Sequence, residues 1–99
     1  MIIVLGYVHV NPAEVAGLND ALQTMMQKTR EEDGCERYSL AVENAEEGII
    51  SISERWASME ALGAHSKAQH MADFNAALKG KVTKFDVKAY DASNERKLG

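Results

Sequence analysis

The sequence contains few of the residues that mark disulfide-rich, low-complexity and membrane proteins. Cys35 is the only cysteine among 99 residues, so an internal disulfide is impossible and a reducing cytoplasm is the expected location. The single proline and the seven glycines are scattered, and no repeat, linker or low-complexity segment is found. The apolar start, MIIVLGYVHV, is too short to span a bilayer and has no basic region before it. We therefore expect a globular protein with no membrane partner.

Positive charge and cofactor motifs are also scarce. The chain has 11 lysines and arginines against 15 aspartates and glutamates, and this net charge of −4 argues against a nucleic-acid partner. It has no G-x-G-x-x-G and no G-x-x-x-x-G-K-[ST], the loops that hold nucleotide phosphates. It also lacks H-x-x-x-H and any multi-cysteine cluster, which are common metal-ligand spacings. We therefore expect no nucleotide, flavin, haem or metal cofactor.

The chain does contain enough apolar material for one hydrophobic core. Hydrophobic residues make up 45% of it, an ordinary value for a globular protein. A chain of this size buries about two-thirds of its unfolded surface when it folds. We predict one domain over residues 1–90, followed by a polar tail over residues 91–99.

Strand and helix patterns alternate along this domain. A helix is predicted from Asn11, which precedes a proline, to about Glu32, and a second helix from Ser58 to about Lys79. Four other segments have the alternation or the two apolar faces of strands: Ile2–Val10, Glu36–Glu43, Gly48–Trp56 and Val82–Tyr90. The order β-α-β-β-α-β predicts a ferredoxin-like α+β fold, a four-stranded antiparallel sheet with helices on one face.

The first strand is apolar on both faces, which predicts an assembly. The helices cover only one face of a ferredoxin-like sheet, so the side chains of Ile3, Leu5 and Tyr7 on the other face need a second cover. A second copy of the sheet is the simplest cover. We therefore expect a homodimer.

The stretch Glu54–Phe74 holds most of the groups capable of chemistry. Ser58 is placed to cap the helix that follows the third strand. Ser66 and Gln69 form an S-x-x-Q pattern, which predicts that a new helix starts there and that the second helix is broken. His65 lies at this break, where its side chain can point toward the sheet.

Two segments resemble the antibiotic biosynthesis monooxygenase domain family. They are EEDGCERY at residues 31–38 and ERWASMEALGAHSKAQHMADF at residues 54–74. The region from His70 through Val82 is most similar to the quinol monooxygenase branch. The resemblance implies a dimeric α+β barrel that oxidises a small quinol or polyphenol with O₂ and uses no cofactor. It implies that the protein binds the aromatic substrate and helps to remove a proton, after which the anion itself reduces O₂.

For that chemistry, the histidines are the candidate catalytic residues because imidazole titrates near neutral pH. His65 is the first candidate and His70 the second, and structural roles at the helix break are the alternative. Glu54 needs a partner on an apolar face, for which Arg37, Arg55 or a histidine are available. The candidate substrate-binding residues, each with core packing or another structural role as its alternative, are Trp56, Glu54, Phe74, Tyr38, Tyr7 and His9. Tyr7 and His9 share a face of strand 1. We expect a pocket between the sheet and the broken helix, bounded by Trp56, His65, His70 and Phe74.

Other functions remain compatible with the sequence. Relatives on the same scaffold isomerise a small phosphorylated autoinducer-like signal, and a dimeric ligand-binding or stress-response domain would need no catalysis. The haem-degrading relatives place an asparagine on strand 1 and a histidine ligand in the final helix. Strand 1 here has no asparagine and Phe74 stands at the ligand position, which argues against haem degradation. The acidic balance also opposes an RNA-binding module of the same topology.

Overall fold

A computed structural model describes residues 1–99 and contains one four-stranded antiparallel sheet in the order β2-β3-β1-β4. This arrangement confirms the predicted ferredoxin-like α+β fold and its broken second helix. Two short 3₁₀ turns, Pro12–Glu14 and Ala16–Leu18, precede the first helix. The main elements are β1 (Ile2–Val10), α1 (Asn19–Thr29), β2 (Cys35–Asn44), β3 (Ile49–Trp56), α2 (Met59–Ser66), α3 (Gln69–Leu78) and β4 (Val82–Asp91).

The first helix is shorter at both ends than the sequence predicts. Asn11 does act as a cap, since its Oδ1 accepts a hydrogen bond from the Ala13 amide at 3.1 Å, but the turn it caps is a 3₁₀ turn. Gly17, a poor helix former, lies in the second 3₁₀ turn. At the other end α1 stops at Thr29, so Glu32 lies in the connection to β2 rather than on the helix.

The core lies between the helices and one face of the sheet. Even-numbered side chains of β1 and β3 point into it, and the buried hydrophobic residues include Val4, Val8, Ile50 and Trp56. The odd-numbered side chains of β1 lie on the other face, where Leu5 remains 49% exposed. The two-faced character predicted for strand 1 is therefore confirmed.

Side chains from α1 and from its C-cap residue cover the outer edge of β2. The Leu40 amide donates a hydrogen bond to Met26 Sδ at 3.3 Å, and Arg30 Nε donates to the Tyr38 carbonyl at 3.0 Å. Unpaired groups on an edge strand otherwise offer a template for pairing with another chain. These two contacts satisfy part of that edge from within the molecule.

The second helix breaks where the sequence predicts, but for a different reason. Ser58 Oγ accepts from the Ala61 amide at 3.2 Å, which confirms the cap of α2. The predicted Ser66–Gln69 capping box is wrong. Ser66 Oγ donates instead to the Gly63 carbonyl at 2.6 Å, while Gln69 Nε2 donates to Asp73. The chain turns at Ala68, whose extended backbone makes it the N-cap of α3 without a side-chain bond.

β4 and the residues after it lie at the other edge of the sheet. The helices do not cover β4, so Phe85 is 67% exposed although it points to the helix side. Residues 92–99 have no regular structure, but the Ala92 amide donates to the Met1 carbonyl at 2.9 Å and Glu95 forms an ion pair with Arg55. None of the helices has the length and apolar character required to cross a membrane.

Candidate active site

A single carboxylate oxygen joins both candidate histidines. Glu32 Oε2 lies 2.7 Å from His65 Nδ1 and 2.7 Å from His70 Nε2. A carboxylate accepts hydrogen bonds and donates none, so each imidazole carries hydrogen on the nitrogen that faces Glu32. The arrangement leaves His65 Nε2 and His70 Nδ1 as the nitrogens with a free lone pair in the neutral rings.

The helix break brings these two imidazoles together. Residues five positions apart on a continuous helix point about 140° away from each other. His65 occupies the last turn of α2 and His70 the first turn of α3, and the change of direction at Ala68 lets both reach the same oxygen.

A glycine allows Glu32 to approach them. Gly34 has φ of +82°, and a Cβ there would lie 2.6 Å from the Ala61 Cβ. Only glycine combines this backbone conformation with so close a contact between the connection after α1 and helix α2.

The other side of the His65 ring packs against buried aromatic residues. His65 is 2% exposed, and its ring centroid lies 4.8 Å from that of Trp56 and 5.3 Å from that of Tyr38. Its Nε2 is buried and has no hydrogen-bond partner. A buried lone pair without a partner on an oriented imidazole is a potential proton acceptor or ligand.

The carboxylate of Glu54 is hydrogen-bonded to the indole of Trp56. The Trp56 Nε1–H donates to Glu54 Oε1 at 2.8 Å, within the core. Burial raises the pKa of Glu54, an effect opposed by the Trp56 hydrogen bond and by the charge of His65. The predicted pairing of Glu54 with Arg37 or Arg55 is wrong. Arg55 forms ion pairs with Glu36 and Glu95 on the other face of the sheet. Glu54 does not orient a histidine either, since Glu32 is the carboxylate that both histidines contact.

Tyr38 and Cys35 are poorly suited to ionise. Tyr38 is buried, and desolvation raises the pKa of its phenol well above its usual value. Burial also raises the pKa of the Cys35 thiol, and nearby Glu32 adds to that effect. Tyr38 therefore packs as part of the aromatic cluster. The charge of Arg30 lowers the pKa of Cys35, but burial and the nearby carboxylates outweigh it, so Cys35 is not an activated thiolate.

The predicted pocket bounded by Trp56, His65, His70 and Phe74 does not form, because Trp56 and His65 fill that space themselves. Neither residue lines any of the five principal cavities. His70 and Phe74 instead line a groove of about 210 Å³ between α1 and α3, with Asp20, Ala21, Thr24, Met25, Lys28 and Asp73.

Tyr7 and His9 do not join this site. Both lie on the opposite face of the sheet, since their neighbours Val8 and Val10 point into the core. Tyr7 lines a shallow groove of about 400 Å³ on that open face together with Leu5 and Tyr90. The prediction that they share a face is confirmed, but the sheet separates that face from the Glu32 cluster.

The family model for "antibiotic biosynthesis monooxygenase" matches residues 1–77 of this chain. The chain belongs to this family. Every residue of the Glu32, His65 and His70 cluster, as well as Trp56 and Phe74, lies inside the matched region.

Solved structures of similar chains agree with the family. A provisionally designated antibiotic biosynthesis monooxygenase of Deinococcus radiodurans is 28% identical, with a TM-score of 0.88, over 100% of this chain and 99% of its own. Rv0793 of Mycobacterium tuberculosis is 28% identical, with a TM-score of 0.83, over 97% of this chain and 98% of its own. A Caulobacter crescentus protein of the same provisional designation is 27% identical, with a TM-score of 0.85, over 94% of this chain and 90% of its own. A comparison with curated proteins gives no match.

Within this antibiotic biosynthesis monooxygenase domain, Glu32 is the site residue that sequence reasoning missed. It lies 33 and 38 residues from its two partners and on a connection predicted to be helix, so no local spacing marks it. The run of three acidic residues before Gly34, already part of the family-like segment, is the one available signal. The cluster also places three potential metal-ligand atoms within 4.8 Å of one another, although the chain has no H-x-x-x-H spacing.

Proposed function

We propose that this protein is a monooxygenase that oxidises a small phenol or quinol with O₂ and without a cofactor. The observation that supports this best is the sharing of Glu32 Oε2 by His65 and His70, because it supplies an oriented base beside a groove. Membership of the family supports the class of reaction. The choice of a phenolic substrate rests on the proton-accepting site.

The reaction balances without an external reductant. A quinol and O₂ give a hydroxyquinone and water: one oxygen atom forms a new bond to a ring carbon, and the other leaves as water. The ring supplies all four electrons and loses two hydrogens in the process. Deprotonation makes the ring electron-rich enough to transfer electrons to O₂, so the task of the protein is to bind the ring and take its proton.

His70 is the group in position to take that proton. Its side chain is 16% exposed and lines the groove, while its Nε2–H is held by Glu32, so Nδ1 is the basic nitrogen. Glu32 then stabilises the imidazolium that forms, as carboxylates do in other oriented bases. His65 contacts the same oxygen from the core side and fixes the carboxylate.

The groove suits a small aromatic ring. Phe74 and Met25 give it apolar contacts, and its volume of about 210 Å³ is below that of drug-sized pockets. Lys28, which also lines it, offers a positive charge to a developing phenolate. In this proposal Phe74 contacts substrate, whereas Trp56, Glu54 and Tyr38 support His65 from behind.

Oxygen uptake with a panel of quinols, without added cofactor, tests the proposal. With ¹⁸O₂, one labelled atom is expected in the product and one in water. His70→Gln is expected to lower the rate at least tenfold, because removing a general base costs on the order of 10²–10⁴. The chain offers His9→Gln as a matched control, since its third histidine lies on the opposite face.

His65→Ala is also expected to lower the rate at least tenfold, because Glu32 loses the contact that fixes its carboxylate beside His70. Its thermal midpoint must be measured beside the rate, since His65 packs in the core. Full activity in the folded fraction of that variant would make His65 purely structural. Hydrogen peroxide with no label in the product would indicate an oxidase. No uptake with any quinol would overturn the proposal and favour the isomerase or the ligand-binding domain.

We also propose that the protein is a homodimer formed through the open face of the sheet. Leu5, Tyr7 and Tyr90 are 49%, 43% and 50% exposed there, beside one another on β1 and β4. Asp86 and Lys88 lie on the same face and pair with each other within one chain, Lys88 Nζ lying 3.6 Å from Asp86 Oδ1, so they leave little net charge there. The cluster of Glu32, His65 and His70 lies on the helix side of the sheet, away from this proposed interface.

A further inference from the structure

The residues of the cluster point to a binding property that is independent of the proposed oxidation. Glu32, His65 and His70 each offer one ligand atom, and these atoms lie within 4.8 Å of one another. We propose that the three side chains bind one divalent transition-metal ion, with Zn²⁺ as the best-matched ion.

The three donor atoms face one another and reach the spacing of a zinc site after small side-chain shifts. Ligand atoms about 2.1 Å from a tetrahedral Zn²⁺ are about 3.4 Å apart. Glu32 Oε2 lies 2.7 Å from each histidine nitrogen, and both nitrogens already aim at the point that this oxygen occupies. For an ion at that point, the carboxylate oxygen must withdraw by about 2 Å and each nitrogen must move inward by about 0.6 Å.

The donor types select the kind of ion. Two imidazole nitrogens and one carboxylate oxygen suit Zn²⁺, Co²⁺, Ni²⁺ and Cu²⁺, whereas Mg²⁺ and Ca²⁺ prefer sites made of oxygen. Three protein ligands leave the fourth position of a tetrahedral ion to water. The side chains of Glu32 and His70 are 17% and 16% exposed, so the ion can enter from solvent while His65 holds it from the core side.

One feature limits the affinity. A metal on His65 Nδ1 displaces the hydrogen from that nitrogen, and the neutral ring then carries its hydrogen on Nε2. This nitrogen is buried and has no partner, whereas metal-ligating histidines almost always donate their second N–H to an acceptor. We therefore expect binding about 10–100-fold weaker than at a site with that acceptor in place.

Titration calorimetry of the chelator-treated full chain with ZnCl₂ tests the site, supported by the visible absorption of added Co²⁺ and its loss on addition of Zn²⁺. One ion per chain is expected. Glu32→Gln and His70→Gln should each weaken binding at least tenfold, and circular dichroism checks that both variants fold. His9→Gln should bind like the wild type. Equal affinity in wild type and His70→Gln, or no binding at millimolar Zn²⁺, would overturn the inference.

The two proposals can fail separately. The ion would take up Glu32 Oε2 and His70 Nε2, so Zn²⁺ is expected to inhibit quinol oxidation and a chelator to restore it. Binding of Zn²⁺ by a protein that oxidises no quinol would refute the oxidation and keep the metal site. Quinol oxidation that is unaffected by saturating Zn²⁺, in a protein that gives no calorimetric signal with Zn²⁺, would refute the metal site and keep the oxidation.

Discussion

Trp56 donates its indole hydrogen to Glu54 Oε1 at 2.8 Å, and both side chains lie inside the core. They are two residues apart on β3, so they share the face that the helices cover. The bond satisfies the single donor of the indole, but the carboxylate still loses the hydration that its charge requires. The burial of Glu54 therefore destabilises the folded protein more when the carboxyl group is ionised than when it is protonated.

Glu54→Gln is expected to stabilise the protein at neutral pH. Burial raises the pKa of Glu54 above its ordinary 4.5, so the folded protein binds this proton more tightly than the unfolded chain does. That contribution is fully present below about pH 4.5 and is lost as the pH rises through the folded pKa. Glutamine stays neutral and keeps an oxygen for Trp56.

Thermal unfolding at pH 4 and pH 8 measures this effect. The variant should melt a few degrees above wild type at pH 8, where 1 kcal/mol corresponds to about 4–8 °C, and near wild type at pH 4. Glu46→Gln, at an exposed turn residue, is the control and should change neither value. A lower midpoint for Glu54→Gln at pH 8 would mean that its charge stabilises the fold.

Met26→Leu is expected to open the edge of β2. Leucine preserves most of the packing, but the Leu40 amide loses the sulfur that accepts its hydrogen bond. A donor left without a partner costs about 1–3 kcal/mol. Urea unfolding should show a lower free energy of unfolding by that amount, and hydrogen exchange at the Leu40 amide should become faster. Met25→Leu changes an equally buried neighbour whose sulfur makes no such contact, so a similar loss there would assign the effect to packing.

Gly6→Ala is expected to separate β1 from β4. A Cβ on Gly6 would lie 2.1 Å from the Asp86 carbonyl oxygen and 2.5 Å from the Val87 Cα, which are backbone atoms that cannot turn aside. Forcing extra atoms into a packed region costs about 1–3 kcal/mol, and we expect the upper end. Gly63→Ala in α2 has open space and should instead stabilise by about 0.5–1 kcal/mol. Denaturant midpoints of the two variants should move in opposite directions.

Leu5→Lys is expected to produce a monomer. The substitution places charge in the centre of the open face, where Leu5 is half exposed and the proposed partner sheet would bury it. Sedimentation of wild type at micromolar concentration should give about twice the 10.9 kDa chain mass, and the variant about once. Glu46→Lys, in the turn between β2 and β3, is the charge control. A wild-type monomer would remove the explanation for the apolar open face.

The fold was more predictable than the site because its signals are local. Alternation along β1 and β3 and the Ser58 cap each depend on neighbouring residues, and they predicted the sheet and the start of α2. The contact of Glu32 with His65 depends on a turn after α1 and on close approach at Gly34, which no periodic pattern reports.

Packing also changed the expected site. Trp56 and His65 were expected to line a pocket, but whether two buried rings leave a cavity depends on their mutual distance, here 4.8 Å. The sequence of the broken helix contained the right residues and the right break. It could not indicate that the rings fill the space between them, or that the groove lies on the His70 side.

The length of chain between Glu32 and its partners has a consequence for the order of folding. Loops of 33 and 38 residues must close before the three side chains meet, and those loops contain the whole β2–β3 hairpin and helix α2. Contacts of such long range form late and slowly compared with helix turns and hairpins. The imidazole signals of His65 and His70 should therefore be among the last to reach their native values during refolding, and the cluster assembles only when the surrounding architecture is complete.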